Sequence, residues 1–330
     1  MLSSCPAAAK RILDLIPPAS GAEVMGAGIV SIALSLDGAQ TISQILLVID
    51  ALTWVALVVL LPTRIVGDYE RFRADVRTPA ALTAVAASAV LGAQLAMLGW
   101  RWAAIVLLVI SLLVWAALLV PVLSHWTLPT TGASLMLAVS TESLAVLAAA
   151  LAVQEHADWL LPAALVAFAL GLASYAFVIA RFDRRQLAVG RGDQWICGGA
   201  LAISALAAAK IVTGATTLAI LGDGRGILQA LAFGLWVLTM LWLPVLTLAE
   251  VRHPRPRYTV RRWSTVFPVG MYAACSFAVG VTARAAAVTS YARVWVWVAL
   301  AIWVIVSAAT LHRGWQIVRF QQPPAQITPP

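Results

Sequence analysis

The chain has 330 residues, of which 62% are hydrophobic and only 11% charged, with a formal charge of +8 and a mean hydropathy of +0.92. These values exclude an ordinary soluble domain and place the protein in a bilayer, with room for about ten spanning helices of roughly 20 apolar residues each. The positive charge is no nucleic-acid footprint, because the basic residues sit in short loops between apolar runs and lack interleaved aromatics, so no nucleic-acid partner is expected.

The first residues, Met1 to Ile16, carry Lys10 and Arg11 but no apolar core followed by a small-residue cleavage site. Residues 1–18 are therefore read as a cytoplasmic lead-in rather than a removable signal. Apolar runs follow at Ala19–Leu36, Thr41–Leu61, Pro79–Gly99, Trp102–Leu123, Gly132–Val153, Trp159–Ile179, Gln194–Ile220, Gly226–Leu248, Trp263–Val281 and Tyr291–Leu311. The expected architecture is an all-α integral membrane protein of ten transmembrane helices, one domain over residues 19–315. Residues 316–330 are read as a cytoplasmic tail, whose four prolines after Gln321 predict disorder.

Seventeen of the 22 Lys and Arg residues fall at one set of helix ends, among them Arg64, Arg71, Arg73, Arg77, Arg181, Arg184, Arg185, Arg252, Arg255, Arg261 and Arg262. Arg101, Arg225, Arg284 and Arg293 mark the opposite ends, and Lys210 stands inside a helix. The positive-inside rule then places both termini in the cytoplasm and the protein in the cell membrane. Trp100, Trp102, Trp126, Trp159, Trp195, Trp263 and Trp315 lie near expected helix ends, where indoles favour the interface. Short turns on the outer side pair the helices as five hairpins; the repeat is topological, with no strong recurring residue pattern between hairpins.

Three segments carry more than hydropathy. Arg261-Arg262-Trp263-Ser264-Thr265-Val266-Phe267-Pro268-Val269-Gly270-Met271-Tyr272 is an arginine-tipped start to an apolar helix. In it Pro268 removes a backbone donor, Gly270 admits a close neighbour, and Phe267 stands where a movable plug could stand. The first helix follows Pro17-Pro18 with Met25-Gly26-Ala27-Gly28-Ile29-Val30-Ser31, and the fifth carries Ser140-Thr141-Glu142-Ser143. For Gly21 and Gly26, helix packing is the favoured reading.

Together these segments resemble the tellurite-resistance/dicarboxylate transporter family, which includes the plant slow anion channels. The resemblance implies five hairpins around a quasi-fivefold axis, with odd helices lining a central pore, even helices outside, and three subunits in a homotrimer. It also implies that Phe267 is the pore gate, since it matches the aromatic that blocks the family's closed members. Phe277 lacks that context. Gly28, Ser31, Ser140, Ser143, Pro268 and Gly270 are then expected to line the pore or support the gate.

Ionisable groups inside the bilayer cost at least a few kcal/mol and call for a partner, water or a function. Glu142 could be protonated, paired with Lys210, or part of a proton-coupled mechanism. Lys210 could attract anions or snorkel to the outer interface. Asp50, on an outer helix, is read as a packing or inter-subunit hydrogen bond, and Glu23 as a carboxylate at a helix start.

His125, His156, His253 and His312 share no ligand spacing with one another, and Cys5, Cys197 and Cys275 form neither a CxxC pair nor a disulfide framework. Gly222-Asp223-Gly224-Arg225-Gly226 is a turn, because no strand precedes it. No catalytic residue, metal or cofactor is expected. The sequence points to a gated channel for small inorganic anions, with lipids as further partners. The rival is a proton-coupled carrier of a C4-dicarboxylate such as malate, or of sulfite or tellurite; a membrane scaffold without transport is a third class.

Overall fold

A long apolar run in lipid satisfies its backbone internally when it forms a helix, and the apolar runs among the described residues all do so. The computed structural model describes residues 20–189, 192, 194–222, 224–255 and 258–319; the lead-in, Cys5, Asp223 and residues 320–330 of the tail lie outside it, while residues 316–319 continue the last helix. Ten long helices follow one another: α1 (Gly21–Asp37), α2 (Gln40–Gly67), α3 (Thr83–Met97), α4 (Arg101–Ser124), α5 (Met136–Glu155), α6 (Leu160–Ala180), α7 (Trp195–Thr217), α8 (Gly224–Arg252), α9 (Trp263–Thr282) and α10 (Ala286–Arg319). Nine of them, with their lead-in turns, are long and apolar enough to cross a membrane. The other, α1, has 17 described residues. Several outer helices outrun their apolar cores: α2 continues through Pro62 to Gly67, and α10 reaches Arg319.

The helices sort into two layers. In α3, α5, α7 and α9 between 72% and 89% of the apolar window is buried, against 11% to 28% in α2, α4, α6, α8 and α10. The odd helices therefore form the inner layer and the even helices face lipid. Each odd helix packs on its own hairpin partner and on two other odd helices, α1 on α3, α3 on α5, α5 on α7, α7 on α9, and α9 back on α1. The inner layer is thus a closed ring.

The hairpins share a backbone signature that their residues conceal. Each odd helix ends with an amide donating to the carbonyl five residues back: Ala39 to Leu34, Trp100 to Leu95, Ala157 to Ala152, Ile220 to Ala215 and Ala285 to Gly280, all between 2.9 and 3.1 Å. The residue before each donor is left-handed, Gly38, Gly99, His156, Ala219 and Arg284, with φ between 50° and 94°. This is one Schellman-type stop repeated five times, and it turns the chain sharply into the returning helix. At the other end, α3, α5 and α9 are each approached through an extended threonine, Thr78, Thr131 and Thr259, and a single 3-10 turn.

Neighbouring hairpins are then stitched by aromatic donors on outer helices. Trp54 Nε1 on α2 donates to Ser88 Oγ on α3 at 2.8 Å, and Trp115 Nε1 on α4 to Thr141 Oγ1 on α5 at 3.0 Å. Tyr175 on α6 donates to the Cys197 carbonyl on α7 at 3.3 Å, and Trp236 Nε1 on α8 to Ser276 Oγ on α9 at 2.8 Å. Each bond joins a hairpin to the inner helix of the next. Replacing Trp115→Phe keeps an aromatic side chain, though a smaller one, and removes the donor, and should lower stability by about 1 kcal/mol in a membrane setting. Thermal unfolding in detergent, run as a double-mutant cycle with Thr141→Val, checks this: the double variant should lose no more than the single.

Candidate functional site

Where the inner helices converge, a cavity of about 20 Å³ opens toward the end at which they finish, space for roughly one water molecule. All five inner helices reach it, through Ile29 of α1, Ala93 of α3, Ser143 of α5, Lys210 of α7 and Met271 of α9. Its wall is otherwise aliphatic and thioether, so Lys210 is its single ionisable residue. Lys210 is half-buried and has no hydrogen bond or ion pair among the described residues.

Phe267 is 3% exposed and lies four residues before Met271. That spacing puts it on the same face of α9, one turn or roughly 6 Å nearer the basic end. Phe277, also buried, is off this face. The two residues expected to support Phe267 sit in the ring's seams. The Pro268 ring fills the space over Gly199 of α7, where an added Cβ would come within 2.8 Å of it. Gly270 packs on Ile29 and Val30 of α1, where a Cβ would meet Ile29 at 2.6 Å.

The other expected pore residues divide. Ser143 faces the cavity, and its hydroxyl donates to the Val139 carbonyl at 2.7 Å. Ser140, fully buried, donates locally to Leu137 at 3.1 Å. Gly28 meets Val90 of α3 and leaves room for the Asp50 carboxylate of α2, which a Cβ would approach to 2.9 Å. Ser31 joins Ser43 of α2, whose hydroxyl donates to the Ser31 carbonyl at 2.8 Å, and also meets Gln94 of α3. Gly28 and Ser31 thus belong to a helix junction beside the cavity. Asp50 is part of that junction, fully buried, with neither oxygen hydrogen-bonded.

Glu142 is also fully buried and turned toward α6 and α7. It accepts from Ser204 Oγ of α7 at 2.9 Å and lies against Gly171 of α6, where a Cβ would meet its Cγ at 2.6 Å. Its other oxygen, Oε2, is unpartnered. The structure does not bring Glu142 and Lys210 together: Ser204 and Lys210 are six residues apart on α7, roughly 9 Å along its axis.

One cluster went unread in the sequence. Near the end of α8, Glu250 accepts from Trp195 Nε1 of α7 at 3.2 Å, from Arg255 Nη2 at 2.7 Å and from Arg262 Nη1 at 3.2 Å. Arg255 Nη2 also donates to Thr265 Oγ1 in the first turn of α9 at 2.9 Å. The arginine run was legible as a topology signal; the acid two residues before the run's start, at Arg252, was the clue to a second role. Among the described residues, no group of three His, Cys, Asp or Glu side chains could hold a metal ion.

A profile of the voltage-dependent anion channel family matches residues 16–311. The chain belongs to that family. It is accordingly a multi-pass membrane protein of that family. Over 122 residues it is 36% identical to an uncharacterized membrane protein of Mycobacterium tuberculosis strain CDC 1551, and equally to one of strain H37Rv. The aligned part is 36% of this chain and spans 62% of each relative's length.

Glu250→Ala would leave Arg255 and Arg262 facing each other without their shared acceptor, and should cost about 2 kcal/mol of stability, the scale of hydrogen bonds to charged groups. Thermal unfolding of the purified variant, with Glu250→Asp retaining part of the loss, is the check.

Proposed function

We propose that the protein is a gated anion channel whose pathway runs along the axis of the inner ring, with a quasi-fivefold arrangement of hairpins, three such subunits in a homotrimer, and both termini in the cytoplasm of a cell-membrane protein. The observation that carries the reading is the cavity to which every inner helix contributes, walled by aliphatic and thioether side chains, the Ser143 hydroxyl and the Lys210 ammonium, with no carboxylate among its lining residues. A passage of that character favours anions over cations and holds them weakly enough to release them. Phe267 is the gate in this reading, because helical spacing puts it on the face of α9 that carries the cavity residue Met271, one turn nearer the basic end. Dewetting and steric blocking by a phenyl ring suffice to close a passage this narrow.

Pro268 supports movement there. Lacking an N–H, it cannot bond the Ser264 carbonyl, so the turn that carries Phe267 is released from one rung of the helix. Currents across lipid bilayers holding the purified protein test the gate: Phe267→Ala should raise chloride and nitrate conductance several-fold over wild type, independent of a proton gradient. Currents in the variant that stay at the wild-type level would remove Phe267 from the gate.

A proton-coupled carrier of a dicarboxylate, sulfite or tellurite is the second reading, and the unpartnered Oε2 of Glu142 is what favours it. Against it stands the direction of the side chain, held by Ser204 in a helix seam instead of facing the cavity. Glu142→Gln preserves an acceptor for Ser204 and should leave anion currents and their pH dependence unchanged. Malate uptake that follows a proton gradient in wild type and vanishes in Glu142→Gln would favour the carrier.

A further inference from the structure

We infer that the Lys210 ammonium is a binding site for one small monovalent anion, of chloride or nitrate size, near the far end of the central passage. The inference deepens the channel reading and rests on it for the route, while binding itself is separable from conduction.

An ammonium within the bilayer region needs a counter-charge, a bound water or a functional ligand. Lys210 has no protein counter-charge among the described residues. Of the acids on helices packed against α7, Glu142 of α5 is held by Ser204, Glu155 at the end of α5 pairs with Arg101 at 3.8 Å, and Glu250 of α8 is committed to Arg255 and Arg262 at the opposite end. Nor does the wall supply competing donors. Ser143 gives its hydrogen to Val139, so the ammonium holds the only free N–H or O–H groups among the residues that form the cavity.

The direction of the helices gives this charge a purpose. All five inner helices finish at the same end, so their partial negative ends gather around that mouth and would by themselves repel an anion. Lys210 sits seven residues before the end of α7, close enough to offset that potential where an anion must pass. One fixed positive charge neutralises one negative charge. A C4-dicarboxylate would bring a second carboxylate into a wall with no second cation. Burying an unpaired carboxylate is costly, which ranks chloride and nitrate above malate.

The test uses Phe267→Ala as the conducting background, alone and combined with Lys210→Gln or Lys210→Arg, in bilayers bathed by chloride, nitrate or malate. With lysine or arginine present, chloride current should saturate as concentration rises, the reversal potential in a salt gradient should lie near that of chloride, and malate should carry little current. Lys210→Gln should shift saturation to several-fold higher chloride and move the reversal potential toward zero. Unchanged saturation and selectivity in Lys210→Gln would overturn the site, and malate current equal to chloride current would overturn its monovalent class. Independently of conduction, crystals of the full chain grown in bromide should show an anomalous peak beside Lys210 Nζ that is lost in Lys210→Gln. That peak without current in any variant would retain the site and sink the channel reading; no peak, or one that persists in Lys210→Gln, would sink the site.

Discussion

A ring of helices in lipid must be closed by something other than hydrophobicity, because an apolar side chain gains little by leaving an acyl chain for another helix. Each seam of the inner ring shows what replaces it. Gly21 of α1 lies against the backbone of Thr83, where a Cβ would meet the carbonyl oxygen at 2.6 Å; Gly92 of α3 takes Leu147 of α5; Gly199 of α7 takes Pro268; and Gly270 of α9 takes Ile29 of α1. Those contacts close four seams by near approach. In the fifth, between α5 and α7, α5 has no glycine, and Glu142 and Ser204 supply a hydrogen bond in its place. Glu142 therefore has a structural task in that seam through Oε1, while its Oε2 is left without a partner.

Ring closure fixes the rest of the architecture. Because all inner helices run the same way and all outer helices return, each turn at the far end has the same geometric problem and the same backbone solution. The outer helices are left to face lipid on one side and to reach inward on the other, which is where Trp54, Trp115, Tyr175 and Trp236 place their donors. An indole or phenol buries a large apolar ring and still satisfies one polar atom, which suits a helix that is half lipid-facing.

The spans and the hairpin pairing were legible in the sequence, because hydropathy and loop charge report directly on the bilayer; the inner and outer roles were implied only by the family resemblance. The fivefold repeat of the turns was not legible. Its left-handed positions are occupied by glycine at 38 and 99 but by histidine, alanine and arginine at 156, 219 and 284, so the backbone repeats while the side chains do not. Among expected pore residues, Ser143 reached the cavity while Gly28 and Ser31 went to a junction with α2 and α3. A small or hydroxylated residue on an inner helix serves either purpose, and only the helix's rotation about its own axis decides which.

The basic loop before α9 shows how one sequence feature can carry two physical roles. As a run of positive charge it orients the chain in the membrane, and for that purpose any arginine serves as well as another. Glu250 makes two of them particular: Arg262 at the start of α9 and Arg255 in the preceding loop converge on its carboxylate, and Arg255 continues to Thr265. Thr265 is two residues from Phe267. The first turn of α9 is thus held to α7 and α8 through charge, while Pro268 removes a helix rung immediately beyond it. An anchored first turn followed at once by a missing helix rung is the local feature on which the proposed gate at Phe267 depends; a rigid-body tilt of α9 would instead have to break the Glu250 contacts.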